Sequence, residues 1–343
     1  MIEVEIIPNN SKDILKQMQV ALGGKIVEKW SECKLVIDNE FATGSIRFIP
    51  FDWGVNLMEI DATFNKELIL KIKANKEFNP VRFVYSLNGD FKHRFGVDEK
   101  EKTIEQFQSL IFTNKCGNYN YIHFPKNEKM EINVIQIVRK KFLKKRTTNV
   151  STLNKSLYEV FVDEDQQNQF AHFGQLNLKM ADLVRSLRKV KGKGMLRILR
   201  MEAKVYEILS IHIQQHNRLL KGVPLPTSLI TSELKIVRNI ATEIVESPSL
   251  NYSLDQLSTQ TGLSQAKLQD GFKFLYNRTV TEYIRNIRLE VARDLLSNSD
   301  LNISQIVYTI GFTSRSYFSK IFREKFGVTP NQFKKKLINL VML

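Results

Sequence analysis

Cysteine and histidine are scarce in this chain, which has 2 and 5 of them among its 343 residues. Cys33 and Cys116 stand far apart, without the close spacing of a zinc site, so we expect two free thiols in a reducing compartment. No run of 18 apolar residues occurs, which argues against a transmembrane helix. The first ten residues, MIEVEIIPNN, lack the basic and apolar segments of a signal peptide. These absences favour a cytoplasmic protein without a membrane partner.

Acidic side chains are also in short supply, since 36 Asp and Glu face 51 Lys and Arg. The resulting net charge of +15 and the pI near 9.6 favour a polyanionic partner. Charge alone fits DNA, RNA or an anionic membrane equally well. The hydrophobic content of 43% is that of a globular protein with sizeable cores.

One sequence pattern occurs twice between Ser253 and Phe333. The first copy begins SLDQLSTQTGLS and the second NISQIVYTIGFT, and a shift of 49 residues places Gly262 on Gly311. Further along, the shift becomes 50 residues, because Leu268 and Phe272 correspond to Phe318 and Phe322. The second copy therefore contains one extra residue.

Each copy predicts two short helices joined by a tight turn. A capping residue, Ser253 or Asn302, precedes an amphipathic run that ends at the glycine, where glycine accepts a left-handed backbone. Ser264 or Thr313 can then cap the second helix, whose apolar residues recur every three or four positions. Two helices in this arrangement, with the second one presented outward, form a helix-turn-helix motif.

The outward faces of the two second helices carry polar and basic residues. They are Gln265, Ala266, Gln269, Asp270 and Lys273 in the first copy, and Arg315, Ser316, Ser319, Lys320 and Arg323 in the second. Arg, Lys, Gln and Ser side chains can bond base edges or phosphates in a major groove. A solvated helix face explains any single helix equally well, but duplication of the motif favours the binding interpretation.

A helix is predicted between the copies, from about Thr281 to Ser297, with an apolar stripe at Ile284, Ile287, Val291 and Leu295. At 1.5 Å per residue it measures roughly 25 Å. Successive major grooves on one face of DNA lie about 34 Å apart. The spacer therefore suits a chain that reads two adjacent grooves.

The C-terminal segment resembles the signature of the AraC/XylS family of bacterial transcription regulators. The matching positions are Ile303, Ile306, Gly311, Phe312, Tyr317, Phe318, Phe322, Phe326, Gly327, Thr329, Pro330 and Phe333. Departures from the family pattern occur at Ser258, Asn277, Val307 and Lys334. Asp270 stands where the family often has a basic residue, which weakens the first helix as a phosphate binder.

The resemblance implies a DNA-binding transcription regulator and no enzyme activity. By position, it places Ala266, Gln269 and Asp270 in the first copy, and Arg315, Ser316, Ser319 and Lys320 in the second, against base edges. It also implies an N-terminal β-domain of the cupin or jelly-roll kind that binds a small-molecule effector, a helical segment that pairs two subunits, and RNA polymerase as a further partner. The segment Arg200–Leu209 resembles the siderophore-responsive branch of the family. Activation and repression both stay open.

From Ile2 to about Val138, short β-branched and aromatic runs alternate with turn residues, which predicts a β-rich domain. The segment around Asn88 and Gly89 is a hairpin signal. No His-x-His pair occurs there, so we expect no metal and no cofactor. Further along the chain, a helix is predicted from about Gly194 to Leu219. On it, His212 and His216 have metal-ligand spacing, but a surface pair is the simpler interpretation.

The predicted fold class is α+β, divided as follows: a β-rich effector-sensing domain at 1–146, a helical linker or dimerisation region at 147–221, a linker at 222–231 and an all-α DNA-binding domain at 232–343. The basic run Arg139–Arg146 is either a solvated linker or an auxiliary phosphate contact. Two alternatives of other classes stay open: a cupin-like enzyme domain fused to a DNA-targeting module, and an RNA-binding or architectural basic protein.

Overall fold

The computed structural model describes residues 1–145, 149–220 and 227–334. Thirteen strands run through these residues. In chain order they are β1 (Ile2–Ile6), β2 (Lys25–Lys29), β3 (Glu32–Asp38), β4 (Ala42–Pro50), β5 (Val55–Phe64), β6 (Leu68–Lys73), β7 (Val81–Asn88), β8 (Phe91–Arg94), β9 (Lys102–Ile104), β10 (Ser109–Thr113), β11 (Tyr119–Phe124), β12 (Lys129–Ile137) and β13 (Phe170–Phe173).

The described residues also form eleven α-helices. They are α1 (Ser11–Leu22), α2 (Arg139–Phe142), α3 (Lys155–Val162), α4 (Leu178–Arg188), α5 (Gly194–Leu220), α6 (Thr231–Glu246), α7 (Leu254–Thr261), α8 (Gln265–Tyr276), α9 (Val280–Asn298), α10 (Ile303–Thr309) and α11 (Arg315–Phe326). Residues 330–334 begin one more helical turn. None of the helices in this part of the chain has the length and apolar character needed to cross a bilayer.

The chain divides into two compact units, Met1–Pro224 and Leu225–Leu343. The first unit contains both β-sheets and the helices α1 to α5, so the segment predicted as a helical linker belongs to the same compact unit as the strands. Residues 222–226 of the predicted linker, Arg146 of the basic run and Lys335 lie outside the described residues.

Two sheets enclose the core of the first unit, as expected for a β-rich domain of jelly-roll-like layering. One sheet has the order β1-β6-β11-β8-β9 and the other β13-β10-β7-β12-β5-β4-β3-β2. Apolar residues that alternate along the strands meet between the sheets, for example Leu70 and Phe124 from the first and Val84, Ile60 and Val134 from the second.

The outer face of the larger sheet is covered by helices of the same unit. On β7, Phe83 points to this side and stacks against Phe161 of α3 and His212 of α5. The hydroxyl of Tyr85, two residues further, donates to the carbonyl of Asn177 at the start of α4. The helices therefore cover the sheet of their own chain, which leaves both faces of β7 buried.

Two features of the N-terminal unit differ from the sequence-based expectation. Within the region predicted as β-rich, the stretch Ser11–Leu22 is a helix, because Asn10 caps it and Ile14, Leu15 and Met18 bury one helical face. The turn at Gly89 is not a hairpin: β7 pairs with β10 and β12, whereas β8 pairs with β9 and β11 in the other sheet. The chain crosses between sheets there.

The predicted β-rich character is confirmed, since the β-branched and aromatic runs of this region form strands, among them β1, β2, β3, β4, β6, β7, β11 and β12. The predicted helical region is also confirmed as α3, α4 and α5, although β13 lies within it and pairs with β10. In the second unit, α6 begins at Thr231, one residue before the predicted start of the DNA-binding domain at 232.

Candidate nucleic-acid interface

Both predicted helix-turn-helix motifs form in the C-terminal unit. Ser253 and Asn302 each cap the first helix of a copy and exchange hydrogen bonds with a glutamine three residues later, Gln256 or Gln305. This reciprocal arrangement satisfies two backbone N–H groups that would otherwise lack partners. The same local sequence therefore builds the same helix start twice, 49 residues apart.

The turns that follow contain the extra residue of the second copy. Gly262 and Gly311 both have left-handed backbones, with φ values of 70° and 79°. The first copy then needs two more residues before α8, and the second needs three before α11. Ser264 caps α8 as predicted, but Ser314 rather than Thr313 caps α11, because the longer turn shifts the cap by one position.

The outward faces of α8 and α11 use equivalent positions. Every predicted residue of one face lies 50 residues from its counterpart on the other, from Gln265 and Arg315 to Lys273 and Arg323. With about 100° of rotation per residue, each set spans an arc of roughly 140° on its helix. The opposite sides are buried by Leu268 and Phe272 in α8 and by the corresponding phenylalanines in α11.

Two residues of the first face are engaged within the protein. The side-chain oxygen of Gln269 accepts a hydrogen bond of 3.1 Å from the backbone nitrogen of Val280, at the start of α9. The carboxylate of Asp270 accepts from Ser228 and from Thr227 at 2.9–3.1 Å. These bonds lower the pKa of Asp270, the backbone N–H of Ser228 contributing most.

The remaining members of that face, Gln265, Ala266 and Lys273, are exposed. On α11, Arg315, Ser316, Lys320 and Arg323 are exposed and Ser319 is half-buried. The face of α11 is consequently the more basic of the two. The neighbouring Lys325 does not belong to it, because its ammonium group bonds Asn286 and Glu290 of α9.

Arg288 connects the two copies, which the sequence pattern did not reveal. Its guanidinium group, on α9, donates at 2.8–2.9 Å to the carbonyls of Pro248 and Leu250, which precede the first copy, and to that of Gly311 in the turn of the second. Gly311 is required for this approach, since an added Cβ would lie 2.7 Å from the carbonyl oxygen of Ser249.

The connecting helix α9 packs on both copies. It extends from Val280 to Asn298, a length of about 28 Å at 1.5 Å per residue. Tyr283 stacks against Phe272 of the first copy, and Leu289 and Leu296 join the core of the second. Of the predicted apolar stripe, Ile284 is buried, and the other three residues are only half-buried, because the helix buries two faces rather than one.

The predicted surface pair on α5 is wrong: His212 and His216 are both buried. Burial lowers the pKa of His212 to about 3 and that of His216 to about 4, the latter aided by the nearby His172. Among the described residues, no group of His, Cys, Asp and Glu is arranged to hold a metal ion. Cys33 and Cys116 are free thiols there.

The basic run also differs from both of its predicted roles at its first residue. Arg139 is buried and donates to the carbonyls of Val160 and Asn79 and to the hydroxyl of Thr113. Such a side chain is neither solvated nor available to phosphates, because the β-domain already uses its donors. Lys140 and Lys141, next along the chain, are exposed.

Comparisons with known proteins agree with this architecture. A family profile described as a helix-turn-helix domain matches residues 257–336. The chain is 42% identical over 98 residues to Histidine kinase P4 of Formosa agariphila, which is 28% of this chain and 7% of that protein. It is 31% identical over 104 residues to the HTH-type transcriptional activator RhaR of Salmonella dublin, which is 30% of this chain and 37% of RhaR.

Among solved structures, a ToxT variant from Vibrio cholerae is similar over 83% of this chain and 98% of its own, at 14% identity and a TM-score of 0.34. The chain spans less than two fifths of the length of either sequence relative named above. The profile match and the duplicated motif together identify the C-terminal unit of this chain as a helix-turn-helix domain, similar to that of the transcriptional activator RhaR.

Proposed function

We propose that this protein is a sequence-specific transcription regulator that binds duplex DNA through two adjacent major grooves and responds to a small molecule bound by its N-terminal unit. The observation that carries the proposal is the pair of exposed helix faces at equivalent positions of α8 and α11. Hydrogen bonds from Arg288 link the segment before the first copy to the turn of the second. One rigid unit thus presents two similar faces.

Arg315 is the residue we propose as the main source of base specificity. Its guanidinium lies at the exposed start of α11, and an arginine there can bond the O6 and N7 atoms of a guanine in bidentate fashion. Such a pair discriminates against the wrong base by about 1–3 kcal/mol. Ser316, Ser319 and Lys320 complete the base-facing set, and Arg323 contacts phosphate.

The face of α8 has fewer charged residues, and in this proposal it contacts base edges mainly through an amide side chain. Gln265, Ala266 and Lys273 are exposed, and in this proposal they face the groove. Gln269 keeps its amide nitrogen as a donor to an adenine edge, since its oxygen already accepts from Val280. Asp270 holds the segment that leads into α6 rather than a base.

The N-terminal unit is proposed to bind the effector and to change how the DNA-binding unit is presented. A ligand can do so only if it binds the two arrangements unequally. Pairing of two chains through α5 is part of the proposal. Met195, Leu196 and Leu199 are exposed apolar residues at its start, whereas Val205, Ile208 and Leu209 further along it are buried. Because RhaR is an activator by name, we propose activation through contact with RNA polymerase.

The test is a footprint of the full chain on sites recovered by genome-wide mapping of its binding. We expect two protected patches on one face of the duplex, about 10 base pairs apart. Arg315→Ala should lower the affinity for the recovered site by roughly 5- to 100-fold while changing that for random DNA much less.

The matched control for this variant is Arg293→Ala on the connecting helix, where the guanidinium pairs with Glu290 and Asp294. This control should leave both affinities nearly unchanged. If Arg315→Ala weakens binding to specific and random DNA equally, Arg315 contacts a phosphate and the proposed base reading is wrong.

A further inference from the structure

Arg82 is a charged side chain placed inside the β-sandwich of the N-terminal unit. It lies on β7 and is only 3% exposed. Along β7 it alternates with Phe83, which faces the covering helices, so Arg82 shares the inner face with Val84. Its partners in register on the neighbouring strands are Phe112 of β10 and Gln136 of β12. The guanidinium is therefore directed to the space between the two sheets.

The guanidinium of Arg82 is not satisfied by the protein. Its Nη1 has one long contact of 3.5 Å to the carbonyl of Pro80, and its Nη2 has no hydrogen-bond partner among the described residues. No carboxylate there forms an ion pair with it, and the one charged group that shifts its pKa, Arg139, is cationic. Burial lowers the pKa of Arg82 to about 10, so the side chain stays protonated at neutral pH.

Arg139 shows that this fold can satisfy a buried arginine. It is 4% exposed, nearly as buried as Arg82, and all three of its guanidinium nitrogens have partners at 2.5–3.0 Å. An unpaired buried cation costs several kcal/mol as a rule. Arg82 has only the long hydrogen bond to Pro80 and a contact with the Phe112 ring, and its free Nη2 leaves room for an external anion.

The space next to Arg82 is an apolar cavity of about 40 Å³. Its walls include Met58, Val84, Phe91 and Phe112 from both sheets, and its polar lining consists of Arg82 and Gln136. On the opposite sheet, His93 is buried with an unpartnered Nε2, and its pKa is lowered to about 4, mainly by burial and in part by Arg82. The cavity surface is thus almost entirely hydrocarbon, with Arg82 as its one cationic lining residue, and His93 is not part of the lining.

We propose that this cavity binds a small monocarboxylate whose carboxylate accepts hydrogen bonds from Arg82 and whose apolar body lies among Met58, Phe91 and Phe112. One positive charge selects a monoanion, because a dianion such as phosphate would leave a buried negative charge unpaired. A planar carboxylate also matches the fork of a guanidinium. The inference rests on the proposed effector-binding role of this unit and names the chemical class of the effector.

The size of the cavity limits the apolar body. A water needs roughly 10–15 Å³ of such volume, so 40 Å³ holds about three heavy atoms beyond the protein's own contacts. Acetate and propionate, with four and five heavy atoms, come nearest to this size, and butyrate, with six, needs movements of the flexible Met18 and Met58 side chains. Longer chains require the sheets to separate.

Tryptophan fluorescence isolates this unit in the full chain, because both tryptophans, Trp30 and Trp53, belong to it. Thermal unfolding is followed with butyrate, butanamide, butylamine and inorganic phosphate as probes. We expect butyrate alone to raise the midpoint, by roughly 5 °C at a hundredfold excess over its Kd. Equal shifts with the neutral amide, or no shift with any acid from acetate to hexanoate, would overturn the proposal.

Arg82→Met is the direct test, with Arg139→Met as its matched control. Removing an unpaired buried charge should leave the unliganded midpoint unchanged or higher and abolish the butyrate shift. Arg139→Met should lower the midpoint, because three hydrogen-bond partners lose their donors, and the remaining folded protein should keep the butyrate shift. If Arg82→Met keeps the shift, the carboxylate site lies elsewhere.

The wild-type comparison of acid with amide needs no variant, so it decides the proposal even if Arg82→Met does not fold. It is also independent of DNA. A chain that protects promoter DNA but ignores every carboxylate disproves the carboxylate site and leaves the DNA-binding proposal standing. A chain that responds to butyrate but protects no duplex disproves the DNA-binding proposal and leaves the carboxylate site standing.

Discussion

Replacing Arg288 with glutamine is expected to uncouple the two helix-turn-helix copies. The guanidinium donates to Pro248 and Leu250 on one side and to Gly311 on the other, so a single side chain spans the segment before α7 and the turn before α11. Glutamine is shorter and has one amide group, so it cannot reach all three carbonyls. Lysine is no substitute either, because its point charge lacks the planar fork.

The magnitude follows from the three bonds. A hydrogen bond to a charged group contributes about 1.5–3 kcal/mol when buried. Arg288 is half-buried and water can replace part of what is lost, so we discount each bond to about 1 kcal/mol. The expected loss in the free energy of unfolding of the C-terminal unit is therefore about 3 kcal/mol. If all of this free energy serves to fix the relative position of the two copies, affinity for a two-groove site falls by at most about a hundredfold.

The assay combines two measurements on the full chain. Urea unfolding followed by circular dichroism at 222 nm reports the helical unit, and titrations with a full site and with a half site for α11 report the coupling. Arg288→Gln should weaken full-site binding by roughly 10- to 100-fold and half-site binding by much less. Arg293→Gln, on the same helix but paired with the exposed Asp294 and the half-buried Glu290, should change neither by more than about twofold.

The reasoning is refuted if Arg288→Gln and Arg293→Gln behave alike in both measurements. It is also refuted if Arg288→Gln lowers full-site and half-site affinity by the same factor. In that case Arg288 stabilises the fold without setting the relation between α8 and α11.

Two further predictions concern single side chains. Asp270→Asn should lower the stability of the C-terminal unit by roughly 1 kcal/mol, because Ser228 and Thr227 lose a charged acceptor. The base preference that the variant selects from random DNA should be unchanged. A changed preference would mean that Asp270 contacts a base. His212 stays neutral in the folded protein down to about pH 3, whereas in the unfolded chain it takes up a proton below 6.5, so the N-terminal unit loses stability as the pH falls through that window. Between pH 7.5 and 5 the loss from this residue is about 2 kcal/mol, and His212→Leu should show a urea midpoint by tryptophan fluorescence that depends less on pH; an unchanged slope contradicts it.

The C-terminal unit was predictable because its signals are local. Capping residues, a turn glycine and apolar spacings of three and four each act within one helix, and they recur in two copies. The extra residue of the second copy was also visible in the sequence. Its effect on the cap, from Thr313 to Ser314, was not, because one insertion in a turn can be absorbed at several positions. The contacts with bases stay predictions.

Features that depend on distant partners were missed. The residues Asn88 and Gly89 form a turn, but whether the flanking strands pair depends on which sheet each one joins. Arg288 is not distinguished in the sequence from other polar residues of a helix, because its partners are carbonyls of distant loops. Arg82, in the apolar run VRFVYSL, gave a local signal, since a charge on a strand buried on both faces needs an explanation.

The inequality of the two recognition faces gives the molecule a direction. The face on α11 has three exposed cations, Arg315, Lys320 and Arg323, whereas the face on α8 has one, Lys273. A binding surface with one strongly charged end and one weakly charged end does not bind its target equally well in both orientations. If both faces bind DNA as proposed, the target lacks internal symmetry, and a single chain takes up one orientation on the duplex.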